Sequence, residues 1–128
     1  MESIYIEATN DSPSVFLDPK NFVIKIEGAS FPENADDVYD KISQWIDDIA
    51  PHLDSVLVVS FYYSYINSAS KKKVYDMLLQ LEQISEKGNK IVVKWLYDAY
   101  DEDMKELGQE LNDLVLIPFQ YKSIKSNI

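Results

Sequence analysis

The segment SVLVVSFYY, residues 55–63, decides the fold of this chain. Its apolar and aromatic residues follow one another with almost no alternation, and β-branched and aromatic types are enriched in strands. A half-exposed strand alternates apolar and polar residues, whereas a continuous apolar run is typical of a strand covered on both faces. We therefore predict that residues 55–63 form the most buried, central strand of a sheet.

Two helices and two strands are predicted after this segment. Apolar residues at helical spacing indicate a helix over residues 70–87, with Gly88 at its C-terminal cap position. Residues 91–97 are predicted as a strand, and Asp101 is suited to cap a third helix. Residues 114–121 are predicted as the final strand.

One helix is predicted before the central strand. Asn34 is a suitable N-cap, and Asp36 and Asp37 lie in the first turn, where the helix dipole favours carboxylates. Apolar residues recur at helical spacing from there, and Pro51 is expected to end the helix.

Three short strands are predicted ahead of that helix, separated by turn-forming residues. Residues 3–8 and 22–27 alternate along the strand between core-facing and outward-facing side chains, and residues 15–17 are apolar. Gly28 is expected to close the third strand. Such closely spaced strands predict an antiparallel opening meander.

The order of the predicted elements gives the fold class. Strands and helices alternate after the meander, which is typical of a partly parallel sheet with right-handed crossovers. We predict an α/β domain with a mixed sheet of about six strands and about three helices, occupying residues 1–128 as one domain. Fraying is expected in the polar tail, residues 122–128.

Composition narrows the classes of function. The 128 residues carry 22 acidic and 12 basic side chains, a formal net charge of −10, and every basic residue is lysine. Repulsion from this charge argues against nucleic acid as a partner. Without cysteine and without a signal peptide or an apolar run long enough to span a bilayer, a cytoplasmic protein is predicted.

No enzyme motif is apparent. His52, the only histidine, follows Pro51 at a helix end and is predicted to have a surface or capping role. The three glycines are too scattered to build a phosphate loop or a dinucleotide fingerprint. We predict no catalytic residues, no cofactor and no metal.

One acidic run suggests a calcium site at first sight: Asp98, Asp101, Glu102, Asp103 and Glu106. It lacks the central glycine and the twelfth-position glutamate of an EF-hand loop. Carboxylates at a predicted helix N-terminus stabilise the helix by interaction with its dipole, so capping is the favoured interpretation.

The segment Asn67-Ser68-Ala69-Ser70 joins the central strand to the second helix. A hydroxyl of Ser68 or Ser70 would lie at the C-terminal edge of the sheet, beside unpaired helix N–H groups that favour an anion. The alternative is structural, because one serine would serve as the N-cap of the helix.

Three consecutive lysines, residues 71–73, follow in the first helical turn, where cations oppose the dipole. Something negative is therefore expected nearby. A phosphate on Ser68 would bring about −1.5 to −2 charges and three acceptor oxygens. An acidic partner, or neighbouring carboxylates, would serve the same lysines, and three solvated lysines remain an alternative.

With these residues identified, the chain resembles the SiaC family of bacterial regulatory phosphoproteins from about Thr9 to Phe119. Four pieces carry the resemblance in order. They are Thr9 with Ser12-Pro13, then Gly28-Ala-Ser-Phe-Pro-Glu-Asn34, then Tyr65-Ile-Asn-Ser-Ala-Ser70, and Trp95-Leu-Tyr-Asp98.

The resemblance implies a fold similar to that of STAS domains, the anti-sigma factor antagonists. It also implies phosphorylation at Ser68 by a kinase of the histidine-kinase-like ATPase class, and dephosphorylation by a PP2C-type phosphatase. In some members the unphosphorylated form activates a diguanylate cyclase, which connects the switch to cyclic di-GMP and biofilm behaviour. This chain departs from the family in having serine where threonine is commoner, Ala69 where a second hydroxyl residue can occur, and the lysine triplet.

We therefore predict a non-enzymatic, partner-switching signal transduction protein. Its phosphorylation site is predicted at Ser68, and its partner-binding surface at Tyr65, Asn67, Ser70, Lys71 and Lys72. The alternative is a constitutive protein–protein interaction scaffold in which Ser68 is only a helix cap and exposed tyrosines such as Tyr97 and Tyr100 make the contacts.

Overall fold

The computed structural model describes residues 1–125, which form a six-stranded sheet and three α-helices. In chain order the elements are β1 (Ile4–Ile6), β2 (Ser14–Asp18), β3 (Val23–Ser30), α1 (Asp36–Ile49), β4 (Leu57–Ile66), α2 (Ser68–Glu86), β5 (Ile91–Asp98), α3 (Glu102–Asp113) and β6 (Phe119–Ile124). A short 3-10 turn, Ala50–His52, follows α1. Residues 122–124 of the predicted tail belong to β6, and residues 126–128 lie outside the described residues.

The strands lie in the sheet in the same order as in the chain. The pairs β1–β2 and β2–β3 are antiparallel, and β3, β4, β5 and β6 are parallel neighbours. The predicted α/β fold, with a mixed sheet and an antiparallel opening meander, is confirmed. Because successive crossovers of one hand advance across the sheet in one direction, they place their helices on the same face.

Within residues 1–125, helices cover only that one face of the sheet. The odd-numbered residues of 57–63 in β4 are buried beneath the helices, whereas Val58 and Tyr62 are partly exposed and Ser64 is exposed. The prediction that this strand is covered on both faces is therefore wrong. The sequence does not alternate there because Val58 and Tyr62 are apolar or aromatic despite lying on the open face.

Trp95 of β5 anchors α3 to the covered face. Its ring packs against Phe61 and Tyr63, and its indole N–H donates to the carbonyl of Met104 over 2.9 Å. A Cβ at Gly108 would lie 2.4 Å from the indole ring, so only glycine lets the helix approach this closely. Trp95 thus holds α3 through one hydrogen bond and one close contact with its backbone.

Several predicted boundaries differ from the structure. Gly28 (φ +117°) does not close β3 but lies at a β-bulge, where the register with β4 shifts, and the strand continues to Ser30. The final strand begins at Phe119 rather than Leu114, because residues 114–118 form a connection that leads from α3 into β6.

For α1, the predicted N-cap Asn34 is wrong by one residue, whereas the predicted end before Pro51 is confirmed. Ala35 occupies the N-cap position of α1, although the Asn34 side chain accepts a hydrogen bond from the Asp36 amide over 3.0 Å. α1 ends at Ile49, before Pro51, as predicted. Within residues 1–125, no helix combines the length and the apolar character needed to cross a membrane.

Candidate functional site

The turn between β4 and α2 consists of one residue, Asn67. Its side-chain oxygen accepts the Ser70 amide over 2.9 Å, and its own amide donates to the carbonyl of Ser30 over 2.9 Å. Asn67 is therefore the N-cap of α2, and the interpretation of Ser68 or Ser70 as the cap is wrong. The helix begins at Ser68, two residues before the predicted start.

Ser68 is exposed and is the first residue of α2. Amides in the first turn of a helix have no intrahelical acceptor, and the dipole makes this end of the helix electropositive. The Ser70 amide is bound to Asn67, which leaves the Ser68 and Ala69 amides at the helix end. The Ser68 hydroxyl is thus accessible from solvent and lies beside backbone groups that favour an anion.

Ser70 lies on the opposite side of the same turn and is fully buried. Its hydroxyl lies 2.8 Å from that of Ser30, which lies 2.7 Å from the Tyr39 hydroxyl. Tyr39 in turn lies 2.8 Å from the Tyr63 hydroxyl. We call these four side chains the hydroxyl chain, and its burial shows that the prediction of Ser70 on the partner-binding surface is wrong.

The hydroxyl chain joins four elements of the fold, since its members come from β3, α1, β4 and α2. Burial raises the pKa of the Tyr63 phenol well above its ordinary value and also raises the pKa of Tyr39. Both phenols therefore stay protonated and act as donors and acceptors. Sequence reasoning missed Tyr39 and Tyr63, although Tyr39 falls at helical spacing with Ile42 and Ile46.

The three lysines of α2 have different environments. Lys73 contacts the carboxylates of Asp36 and Asp40 on α1, and the hydrogen bonds to these two groups raise its pKa. Lys72 lies 3.9 Å from Asp76, an exposed pair one turn along the helix. Neighbouring carboxylates, one of the predicted alternatives, thus account for these two lysines. Lys71 has no carboxylate within 4.0 Å among residues 1–125.

An exposed aromatic pair lies beside this turn. Tyr65 is 55% exposed and Phe31 is 44% exposed, and their rings meet edge to face with centroids 5.6 Å apart. The two residues come from adjoining parts of the C-terminal edge of the sheet, at the end of β4 and just after β3. The structure therefore brings Tyr65, Asn67 and Ser68 together and adds Phe31, which was not predicted as a site residue.

The other candidate residues lie elsewhere or have structural roles. His52 is exposed on the turn before β4, whereas Ser68 follows β4, so the strand separates the two side chains. Asp101 caps α3 by accepting the Met104 amide over 3.1 Å, as predicted. Asp98 accepts hydrogen bonds from Tyr62 and Tyr100, and the bond to Asp98 raises the pKa of Tyr62 to about 12.

The chain as a whole is similar to proteins of known sequence and structure. An uncharacterized protein of Pseudomonas aeruginosa (strain UCBPP-PA14) is 25% identical over 119 residues, which cover 93% of this chain and 94% of that protein. A chain in the crystal structure of the diguanylate cyclase SiaD in complex with its activator SiaC, from P. aeruginosa, superposes with a TM-score of 0.89 at 24% identity. That match covers 94% of this chain and 99% of the other.

A second structure, of SiaC of P. aeruginosa, also has this fold, with a TM-score of 0.89 at 23% identity over 97% of this chain and 100% of that one. The family model described as "SiaC family regulatory phosphoprotein" matches residues 6–124. These residues include the whole turn around Ser68 and every element of the sheet except the first residues of β1. The chain therefore belongs to the SiaC family of regulatory phosphoproteins.

Proposed function

We propose that this chain is a non-enzymatic partner-switching module that is gated by reversible phosphorylation of Ser68. The observation that carries the proposal is the contrast within one helical turn. Ser68 is exposed at the N-terminus of α2, whereas Ser70 is buried in the hydroxyl chain. A modifying enzyme can reach the first hydroxyl without disturbing the second.

A phosphate on Ser68 would find favourable groups already in place. It would bring about −1.5 to −2 charges to the N-terminus of a helix, where anions are stabilised. Lys71 is exposed in the same turn and has no carboxylate partner among the described residues, so its ammonium group is available to the phosphate. The modification would therefore change the surface charge and leave the fold as it is.

The same phosphate would change the surface that a partner meets. The exposed Phe31–Tyr65 pair provides apolar contact area beside Ser68, and aromatic residues are enriched in protein interfaces. A doubly charged group placed at the edge of such a contact must be desolvated when a partner binds. We propose that Tyr65, Asn67, Lys71 and Lys72 contribute to this surface, and that phosphorylation weakens the docking of its partner.

Three kinds of partner follow from this proposal. A Ser/Thr kinase of the histidine-kinase-like ATPase class would add the phosphate, and a PP2C-type phosphatase would remove it, both in the cytoplasm. The docked partner would be a diguanylate cyclase, and the support is the related SiaC that activates the diguanylate cyclase SiaD.

The second candidate function is a constitutive scaffold without phosphorylation. The observation that favours it is Tyr100, which is 73% exposed and follows the end of β5, three residues after Tyr97. The version of the scaffold predicted from the sequence, in which Ser68 is the helix cap, is wrong because Asn67 is the cap. In this second function, Tyr100→Ala would reduce partner binding and Ser68→Asp would not.

Mass spectrometry of the protein isolated from its native host tests the proposed site. We expect a phosphate on Ser68 and none on Ser70, with fragment ions separating these positions from Ser64. Ser68→Ala should abolish the modification, whereas Ser64→Ala, at an exposed position on β4, is the matched control and should leave it intact. Phosphate that persists stoichiometrically in Ser68→Ala would overturn the assignment.

Pulldown of the diguanylate cyclase from the native host tests whether phosphorylation of Ser68 controls binding of the cyclase. We expect unmodified protein and Ser68→Ala to retain the cyclase, and Ser68→Asp to retain at least tenfold less of it. Circular dichroism should show the same fold for all three. Equal retention by Ser68→Asp and Ser68→Ala would favour the scaffold.

A further inference from the structure

The two faces of the sheet differ in charge, and they also differ in whether helices cover them. On the covered side, α1, α2 and α3 together carry thirteen carboxylates and five lysines. At the centre of the open face lie three exposed lysines, Lys25 on β3, Lys94 on β5 and Lys122 on β6, with one partly exposed carboxylate, Glu27. A chain with a net charge of −10 therefore has one local patch in which lysines outnumber carboxylates three to one.

These lysines occupy neighbouring positions in the sheet. Lys25 pairs in register with Ser60, and Ser60 pairs with Lys94, so one strand separates the two lysines. Two inter-strand steps place their Cα atoms about 10 Å apart. Lys122 pairs with Leu96, one row further along. Within residues 1–125, none of the three has a carboxylate within 4.0 Å.

Apolar side chains lie between the lysines. Val23, Val58 and Leu96 are partly exposed there and line a shallow depression of about 530 Å³ together with Lys25 and Lys94. A sheet face normally buries its apolar side chains against another layer. On the covered side the helices supply that layer, and no described residue supplies it on the open side.

We propose that the open face docks an acidic, amphipathic segment of a partner protein. Its carboxylates would meet Lys25, Lys94 and Lys122, and its apolar residues would cover Val58 and Leu96. Charge complementarity of this kind steers association and fixes the orientation of the partner. An α-helix has a diameter of about 10–12 Å, which matches the distance of about 10 Å between the Cα atoms of Lys25 and Lys94.

Protein is favoured over nucleic acid as the occupant for two reasons. The acidic body of the molecule repels a polyphosphate at long range, whereas a short segment with a few carboxylates suffers less repulsion. The centre of the face is aliphatic, at Val58 and Leu96, and offers contacts that apolar side chains use and phosphates do not. The surface is also separate from the turn at Ser68, so this docking does not depend on the proposed phosphorylation.

Titration of the isotopically labelled full chain with a synthetic peptide, followed by NMR, tests the proposal. The probe is a capped helical peptide with a leucine stripe flanked by glutamates, and the control peptide has lysine in place of every glutamate. We expect the acidic probe to shift the amide signals of residues 23–27, 58–62 and 92–96, and the basic control to shift none of them. Affinity should fall as salt is raised.

Matched variants separate the local patch from the overall charge. Lys25→Glu with Lys94→Glu should weaken probe binding at least tenfold. Lys41→Glu with Lys87→Glu makes the same charge change at exposed positions off this face and should alter affinity less than twofold. Ser68→Asp should bind the probe like the unsubstituted chain, so failure of this proposal and failure of the proposed switch are distinguishable.

Three results would overturn the proposal: signal shifts confined to other residues or absent at millimolar probe, equal weakening by the two double variants, or equal binding of both peptides. Displacement of the probe by a single-stranded oligonucleotide of higher affinity would overturn the choice of protein as partner. If circular dichroism shows that the double Glu variant is unfolded, Lys25→Gln with Lys94→Gln replaces it, with at least threefold weaker binding expected.

Discussion

The inward and outward sides of the first turn of α2 differ in burial, bonding and charge, although Ser70 and Ser68 are only two residues apart. Two residues on a helix are separated by roughly 200° around its axis. Ser70 therefore enters the core, where it meets Ser30 over 2.8 Å, while Ser68 remains exposed. One turn therefore contains both a buried hydroxyl, which holds the helix against the core, and an exposed hydroxyl, which is available for modification.

The largest expected difference between the two sides comes from placing a carboxylate on each. Ser70→Asp introduces an unpaired charge at a position that is 0% exposed, which should cost about 3 kcal/mol or more of the free energy of unfolding. Ser68→Asp places the same charge at an exposed helix N-terminus, where it should change stability by less than about 1 kcal/mol, towards greater stability. Urea unfolding monitored by circular dichroism measures both, and equal losses would contradict the inward–outward distinction.

A smaller loss of stability is expected when the hydroxyl chain is shortened at Tyr63, the member farthest from Ser70. Tyr63→Phe removes one hydroxyl from the hydroxyl chain and leaves Tyr39 bonded to Ser30 alone, which should cost about 1–2 kcal/mol. Tyr65→Phe is the matched control, since this hydroxyl is on an exposed ring at the outer side, and we expect a change below about 0.5 kcal/mol. Similar losses in the two variants, in the same urea experiment, would show that the buried hydroxyl chain does not anchor the turn.

The fold was predictable because its signals are local. Helical spacing around Ile42 and Ile46, the cap at Asp101 and the apolar run of residues 55–63 each report the structure of their own segment. The alternation of strands and helices then limits the topology. The prediction that β4 is covered on both faces was wrong because an apolar run does not show whether helices pack on one face of the sheet or on both.

The site was predictable only in part, because its contacts join distant segments. Placing the start of α2 at Ser70 instead of Ser68 left open which serine faces the core. The partners of Ser70 come from β3, α1 and β4, and the carboxylates that contact Lys73 come from α1. No spacing rule within residues 67–73 contains that information, whereas the exposed cap region itself was identified from the sequence.

The cap that separates the two sides should contribute about 1 kcal/mol. Asn67→Ala removes the acceptor of the Ser70 amide and should lower the free energy of unfolding by that amount. Asn67→Asp keeps an acceptor at the same place and should retain nearly all of the stability. Thermal unfolding of the three proteins at one pH measures the difference, and a loss in Asn67→Asp equal to that in Asn67→Ala would assign the effect to the amide group rather than to capping.

The smallest effect should differ in sign between two lysines of the same turn. Lys73→Ala removes contacts with Asp36 and Asp40 across to α1, and pairs of this kind contribute about 0.2–1 kcal/mol, so stability should fall slightly. Lys71→Ala removes a cation that opposes the helix dipole and has no carboxylate within 4.0 Å among the described residues, so stability should rise by a few tenths of a kcal/mol. Urea unfolding at low salt is the measurement, and 1 M salt should remove most of both effects because exposed charges are screened. A loss of stability in Lys71→Ala would mean that the outward side of the turn already satisfies this lysine, and would weaken its proposed role as a phosphate partner.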